Sequence, residues 1–380
     1  MTEKLAKGYA TEELLRRYFI QSGYYTVRSV PFLYRGFDVT DIDLWLYDRP
    51  SSVTRHRIIV DCKNKATPKV IERIFWTKGL QQVLRVEQAV VATTDTREAV
   101  GEFGREHGVL ILDGQFIAKL QQATDGFAGR LTEEDFEALI ATYQPSKSKG
   151  DWRARYKLLK APFAQNLGYN AINYWAEEAK YFCEQSLIVK THQQLALRLV
   201  YLILSYVCIG FDFALRDVSF SSSPERVKVI TEGLKHGAPG PRDFKSIVDI
   251  AASLIDRYVP ENRAVAFRLR DRVEHDLAAI PAQALAQHLG KQSVSQELFA
   301  TAKEFDACAY RTTFVSPSAI SAAARGVLSA FLDYWSVSRS DFFDLHGTED
   351  TAEPATPTAV QDASSNSAQP ELPGIGLPND

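Results

Sequence analysis

The sequence predicts an α/β domain with a mixed sheet at the front of the chain and an all-helical region behind it. Helix-type and strand-type apolar periodicities alternate over the first 122 residues. From Asp151 to about Leu345 the helical period dominates and strand-like runs nearly vanish. The length, 380 residues, exceeds one average domain. The expected organisation is an α/β domain over 1–122, a helix and polar linker over 123–150, a helical domain over 151–346 and a tail over 347–380.

The elements follow in order. Tyr9 to Ser22 reads as a helix, because Leu14, Leu15, Tyr18 and Phe19 form one apolar stripe; Gly23 ends it. Tyr24–Val30 alternates weakly and reads as a strand. Val39–Leu46 and Arg57–Lys63 are the next two strands, with turns at Gly36 and Asp48–Ser52. Thr67 as cap and Pro68 at the first helical position open a helix whose apolar residues include Val70, Ile74 and Leu84. Gln88–Thr94 has the composition of a buried strand. Asp95 with Glu98 forms a capping pair for a helix ending near His107-Gly108. Val109–Leu112 is a short strand, and Asp113-Gly114 turns into a helix from Gln115 to Gln121. The order α-β-β-β-α-β-α-β-α places helices on both faces of a mixed sheet.

Behind it, Thr132 caps a helix over 132–142, and Gln144–Gly150 is a polar linker marking a domain boundary. Helices are expected at 166–185, 190–214, 224–235, 241–258, 261–278, 281–289, 294–306 and 316–337, punctuated by prolines. The tail from Gly347, rich in Pro, Ser, Thr, Ala and acid, has the composition of disorder.

The net charge of −3 announces no general nucleic-acid binder, but the charge is uneven. Residues 1–120 hold 18 Lys and Arg against 15 Asp and Glu, a net of +3, whereas 347–380 hold six acids and no base. A mildly basic front fits a domain that meets phosphates. Four scattered cysteines with no C-x-x-C pair exclude a zinc ribbon or a dithiol redox motif and fit a reducing cytoplasm. Met1–Lys7 shows no apolar secretory core. The most apolar run, Leu199–Phe211, is shorter than the ~20 residues of a membrane span. Arg198 and Asp212 bracket it, so a buried helix is expected and no membrane partner.

The chemistry concentrates on two of the strands. Residues two apart in a strand share a face, so Asp61 and Lys63 project together while Cys62 points away. Asp43, from the preceding strand, would add a second carboxylate. Two carboxylates can hold Mg²⁺ or Mn²⁺, with the Cys62 carbonyl as a third oxygen ligand. Such a cation offsets phosphodiester charge and acidifies a bound water, and Lys63 would stabilise the pentavalent state or position the water. The plain alternative is a pair of strand-end acids with a solvated lysine.

Several pieces in order resemble the restriction-endonuclease-like superfamily, PD-(D/E)xK, and within it the Mrr-type catalytic domain. They are Gly8-Tyr-Ala-Thr-Glu-Glu-Leu-Leu15 with Ser22-Gly23-Tyr24, then Thr40-Asp-Ile-Asp-Leu44, then Ile59-Val-Asp-Cys-Lys-Asn64. Val90-Val-Ala-Thr-Thr94 follows, with Ala99, Gly104, His107-Gly108 and Leu112-Asp-Gly114. The likeness covers about residues 8–121. It implies an αβββαβ core and Mg²⁺-dependent cleavage of DNA. Asp43 and Asp61 would be the metal carboxylates, Lys63 the catalytic lysine and Glu12 the first-helix glutamate. Glu12 shares the stripe of Leu15 and Phe19, while Glu13 pairs with Arg17 on the other face. A glutamine on the helix after the third strand is expected from Gln81 or Gln82. Restriction or defence against foreign DNA is the implied setting, with a homodimer or a defence partner protein; a catalytically inactive DNA-binding or assembly subunit is the rival.

Lys65, Lys69, Lys78, Arg55, Arg57 and Arg73 could contact phosphates or form a solvated face. Cys62, His56 and His107 read as a small buried residue and two surface or turn histidines. Tyr169, Tyr174, Trp175, Tyr181 and Phe182 read as core. In the helical half, Arg270-Asp-Arg-Val-Glu-His275 is similar to the R-x-x-x-x-H signature of HEPN-type ribonucleases, which are helical and cleave RNA without metal. Its structural alternative is a helix turn with Glu274 beside Arg270.

Overall fold

A computed structural model describes residues 7–63, 69–122, 129–143, 150–258 and 263–346. Helix α1 (Lys7–Gln21) leads into β1 (Tyr25–Tyr34), β2 (Phe37–Asp48) and β3 (His56–Lys63). Then come α2 (Val70–Leu84), β4 (Gln88–Thr93), α3 (Glu98–Glu106), β5 (Val109–Leu112), α4 (Gly114–Gln122) and α5 (Glu133–Ala141). The helical part comprises α6 (Trp152–Leu159), α7 (Pro162–Gln165), α8 (Tyr169–Ile188), α9 (Gln193–Ala214), α10 (Ser223–His236) and α11 (Gly240–Tyr258). It continues with α12 (Arg263–Ala279), α13 (Ala282–Leu289), α14 (Gln292–Tyr310), α15 (Ala322–Tyr334) and α16 (Arg339–His346). The mixed sheet with a helical region behind it is the expected class.

The five strands lie in sequence order, β1-β2-β3-β4-β5. The first three pair antiparallel and the last three parallel, because a tight turn joins β1 to β2 and a short loop over 49–55 joins β2 to β3, while helices cross over after β3 and β4. Pro31 is tolerated in β1 because that strand is an edge. Gly23 stops α1 as expected, at φ 95°.

Some starts and stops differ. The Thr67 cap and Pro68 lie outside the described residues, and α2 begins at Val70 with Lys69 at the cap position and no side-chain cap. Asp95 does not cap α3: the cap residue is Arg97, and Asp95 accepts from Arg97 N and its guanidinium. The local ion pair across two residues outcompetes the helix N–H groups. Thr132 does cap α5, in a reciprocal box with Asp135. Helices α6, α7 and α16 are not among those the sequence predicts. Residues 144–149 of the predicted linker and the tail from Gly347 lie outside the described residues.

The expected division into two domains appears in the secondary structure and not in the packing. One sheet face buries Leu44, Leu46, Ile58, Val60 and Cys62 against Leu14, Leu15 and Phe19 of α1 and Ile117 of α4. The other buries Trp45, Tyr47 and Ile59 in a core that continues without a break through Phe163, Trp175, Tyr206 and Leu298. The helical region therefore shares the cover of this sheet face with α2 and α3. A polar linker signals a loop; it says nothing about whether the apolar faces on either side meet.

Polar contacts on α9 fasten the sheet to the helical region at two points, and a third set ties α9 to the end of α14. Tyr25 Oη bonds Ser205 Oγ at 2.6 Å. Asp212, fully buried on α9, accepts from Tyr47 Oη at 2.6 Å and pairs with Arg49 at 2.8 Å and with Arg55. Arg198 donates to the carbonyls of Ala309 and Thr312. Arg198 and Asp212, which bracket the apolar run, thus hold the ends of the core helix α9. The most apolar 18-residue window of the segment Lys190–Val218 is 94% buried inside the protein, as expected of a core helix. Tyr169, Tyr174, Trp175, Tyr181 and Phe182 all join the core.

Around Glu133, at the start of α5, lies a second buried network. Its carboxylate pairs with Lys160 and Arg16 and accepts from Tyr156 Oη and Tyr310 Oη. Burial pushes the carboxyl up, but Lys160 and Arg16 outweigh it and hold the group at about 2. The folded value lies below the ordinary one. The stability it lends is therefore complete above the ordinary 4.5 and is lost as pH falls through about 2. Acid denaturation of Glu133→Gln should show a shallower stability slope than wild type below pH 4.5. Asp212→Ala, which strands two arginines in the interior, should cost about 3–5 kcal/mol in urea denaturation.

Candidate functional site

Strand β2 meets β3 in the register Leu44–Val60, Trp45–Ile59, Leu46–Ile58. One step beyond the first of these pairs, the antiparallel register sets Asp43 opposite Asp61. Both carboxylates share the face of Trp45, Tyr47 and Ile59, and Lys63 stands two residues further along. Apolar residues hold this register from both sides, and a slip of one position would turn Asp43 to the α1 face.

The groups converge. Lys63 Nζ lies 3.5 Å from Asp43 Oδ2 and 3.4 Å from Asp61 Oδ1. Asp43 Oδ2 also accepts the Cys62 N–H at 2.6 Å, so a side chain closes the end of the β2–β3 ladder. The carbonyl and N–H of one strand residue point to the same side, so the Cys62 carbonyl is aimed toward Asp43 as well. The carboxylate side chains are 18% and 12% exposed, enclosed yet open to a small ligand.

Burial first, and then the Asp61 charge, push the Asp43 carboxyl above its ordinary range; Lys63 and the Cys62 N–H oppose this. The Cys62 thiol is pushed well up by burial and by Asp43, Glu12 and Asp61, so it is no nucleophile. All four cysteines are free and buried.

A residue outside the expected site set completes the cluster. Arg73, on the first turn of α2, closes on Asp61 with both arms: Nε lies 2.9 Å from Oδ2, and Nη2 meets Oδ1. Trp76 lies beneath its guanidinium. Only the crossover from β3 into α2 brings Arg73 here. The sequence offered it merely as one of several candidate phosphate contacts.

Other expected residues lie elsewhere. Glu12 is held by Arg28, whose Nε donates to it at 2.9 Å. Burial raises its carboxyl, Arg28 lowers it, and Asp43 adds repulsion, so Glu12 is an electrostatic neighbour of the pair. Glu13 does lie near Arg17 but does not face solvent; it is buried against Arg16 and Arg28. Helix α1 is covered on two sides, by the sheet and by α5, so its second face is interior too. Gln81 is spent on the far end of β3, donating to the Glu87 carbonyl at 3.0 Å, and Gln82 is exposed. Neither glutamine reaches the acids; Arg73 takes the place expected of them.

Among the expected phosphate contacts, Arg55 is buried against Asp212, Arg57 pairs with Glu87 and Lys69 with Glu72. Asn64 and Lys65 lie outside the described residues. His107 stacks on Phe103 at a helix end, and His56 is half-buried. In α12, Arg270 reaches Asp249 of α11 at 3.0 Å rather than Glu274, and His275 is exposed. Five residues apart, Arg270 and His275 project about 140° from each other, so they form no joint site within this helix.

No protein-family model matches the chain, and comparison with curated proteins and with solved structures gives no match. The functional reading therefore rests on the site itself.

Among the described residues, no group of three or more His, Cys, Asp and Glu side chains is placed to hold a metal ion. The donor set is two carboxylates and the Cys62 carbonyl. This suits Mg²⁺, which commonly binds through one or two carboxylates and keeps several waters. A cation here would compete with Arg73 for Asp61. In a carboxyl-carbon NMR titration Asp43 should titrate above 3.8. Asp61→Asn should lower that value, by removing one repulsive charge and releasing Arg73.

Proposed function

We propose that this chain is a divalent-metal-dependent phosphodiesterase acting on DNA. The observation that carries this reading is the placement of Asp43 and Asp61 across adjacent strands, with Lys63 Nζ within 3.5 Å of both. Mg²⁺ or Mn²⁺ bound there would offset phosphate charge and acidify a water. The chain's own contributions are distinct. Asp43 and Asp61 supply hard oxygen donors. The Cys62 N–H fixes the orientation of Asp43. Lys63 carries a positive charge at the mouth of the pair, where it can donate to a phosphate oxygen as negative charge builds. Arg73 neutralises Asp61 in the metal-free state, and once displaced it is a second donor for the phosphate. The setting implied by the sequence resemblance is cytoplasmic restriction or defence against foreign DNA.

The bidentate Arg73–Asp61 contact also favours a second reading, in which the acids are sealed in a structural ion cluster and the chain is a non-catalytic DNA-binding or assembly subunit. Incubation with supercoiled plasmid decides between the two. Nicking that requires Mg²⁺ or Mn²⁺ and stops in EDTA is expected. Asp61→Ala and Lys63→Ala should each lower it on the order of 10³-fold, with circular dichroism and melting temperature near wild type. Wild-type-like nicking by either variant, or no cleavage under any metal, removes the hydrolytic assignment. RNA cleavage persisting in EDTA would move the activity to the helical region.

A further inference from the structure

Helices α11 and α12 form an antiparallel hairpin that contributes little to the core. Ala252 and Ala266 are buried between them, and Arg270 donates to Asp249 across the pair. No large apolar side chain of either helix is fully buried. Instead Ile247, Ile250, Leu254 and Tyr258 of α11 are each between 51 and 70% exposed. At 100° per residue, Ile247, Leu254 and Tyr258 fall within about 20° of one line and Ile250 about 60° away. Ala252 and Asp249, which face α12, are rotated about 140–160° from that line. The stripe therefore looks outward, away from the hairpin partner. An amphipathic helix normally turns such a stripe inward.

The geometry points to a second copy of this chain as what covers it, through antiparallel pairing of two α11 helices about a two-fold axis at Ile250. The charges along the helix select this partner. Asp243 lies seven residues before Ile250 and Arg257 seven after, so the three share one line of the helix. A two-fold axis at Ile250 sets Asp243 of each copy opposite Arg257 of the other and brings Ile247 of each within one residue of the level of Leu254 of the other. Both ends of the stripe then close with opposite charges, as an isologous interface requires. Neither Asp243 nor Arg257 has an ion-pair partner among the described residues. The hairpin's charge suits a like partner: over 240–258 and 263–279 it holds seven Lys and Arg against six Asp and Glu. That near balance does not suit nucleic acid, which selects a basic surface. This pairing is independent of the hydrolytic reading, since no residue of the carboxylate site takes part.

The test uses the full chain in two measurements. Ile250→Cys, on the axis, should form a disulfide-linked dimer under mild oxidation, while Ser253→Cys, turned off the stripe, should not; the native cysteines are buried and silent. Sedimentation should show a wild-type dimer. Asp243→Arg should weaken it about tenfold through two lost rim pairs, and Asp243→Arg with Arg257→Asp should restore it. Leu254→Asp should give monomer with unchanged circular dichroism. A wild type that stays monomeric at every concentration, or a dimer in which Ser253→Cys links as readily as Ile250→Cys, overturns the proposal and leaves the stripe to another partner.

Discussion

The antiparallel register of β2 against β3 is the constraint from which both fold and site follow. Pairing Leu44 with Val60 sends Leu44, Leu46, Ile58 and Val60 to α1 and Trp45, Tyr47 and Ile59 to the helical region. The same alternation, carried one step further, places Asp43 across from Asp61. Any one-residue shift that separated the acids would also exchange Leu44 and Leu46 with Trp45 and Tyr47 between two filled faces of different shape. The apolar alternation of the strands thus guards the polar pair at their ends.

Covering both sheet faces creates a difficulty that the charged networks resolve. Helix α1 and strand β1 carry Glu12, Glu13, Arg16 and Arg28, all wholly or largely buried once α5 packs against them. Each is matched by an opposite charge, and Glu133 gathers Arg16, Lys160 and two tyrosines. Asp212 does the same for Arg49, Arg55 and Tyr47. Such clusters add little net stability over an apolar core, but any single truncation leaves an unmatched buried charge. They therefore specify which helix meets which edge of the sheet.

The carboxylate site differs in one respect. Asp43 and Asp61 are shared among Lys63, Arg73 and a backbone N–H, at the end of the sheet rather than deep between layers. Two acids and two bases leave it near neutrality, and burial, with the Asp61 charge behind it, raises the Asp43 carboxyl. On the proposed reading, this balanced and partly open cluster would be able to exchange Arg73 at Asp61 for a divalent cation. The interior networks, closed on all sides, cannot.

What the sequence determined by itself is what depends on local periodicity and short-range register. The strand pattern placed Asp43, Asp61 and Lys63 on neighbouring strands, and Arg198 and Asp212 marked the ends of the core helix. These are properties of alternation and run length, readable without knowing what packs where. Tertiary structure alone decided the rest. It turned Glu13 inward because α5 covers the far side of α1, brought Arg73 to Asp61 through the crossover into α2, and withdrew Gln81 to the opposite end of β3. It also fused the expected two domains into one core, because α2 and α3 cover only part of the second sheet face and leave Trp45 and Tyr47 to Phe163 and Phe299 of the helices that follow. In each case the deciding contact joins residues on different elements, and one-dimensional spacing carries no information about that distance.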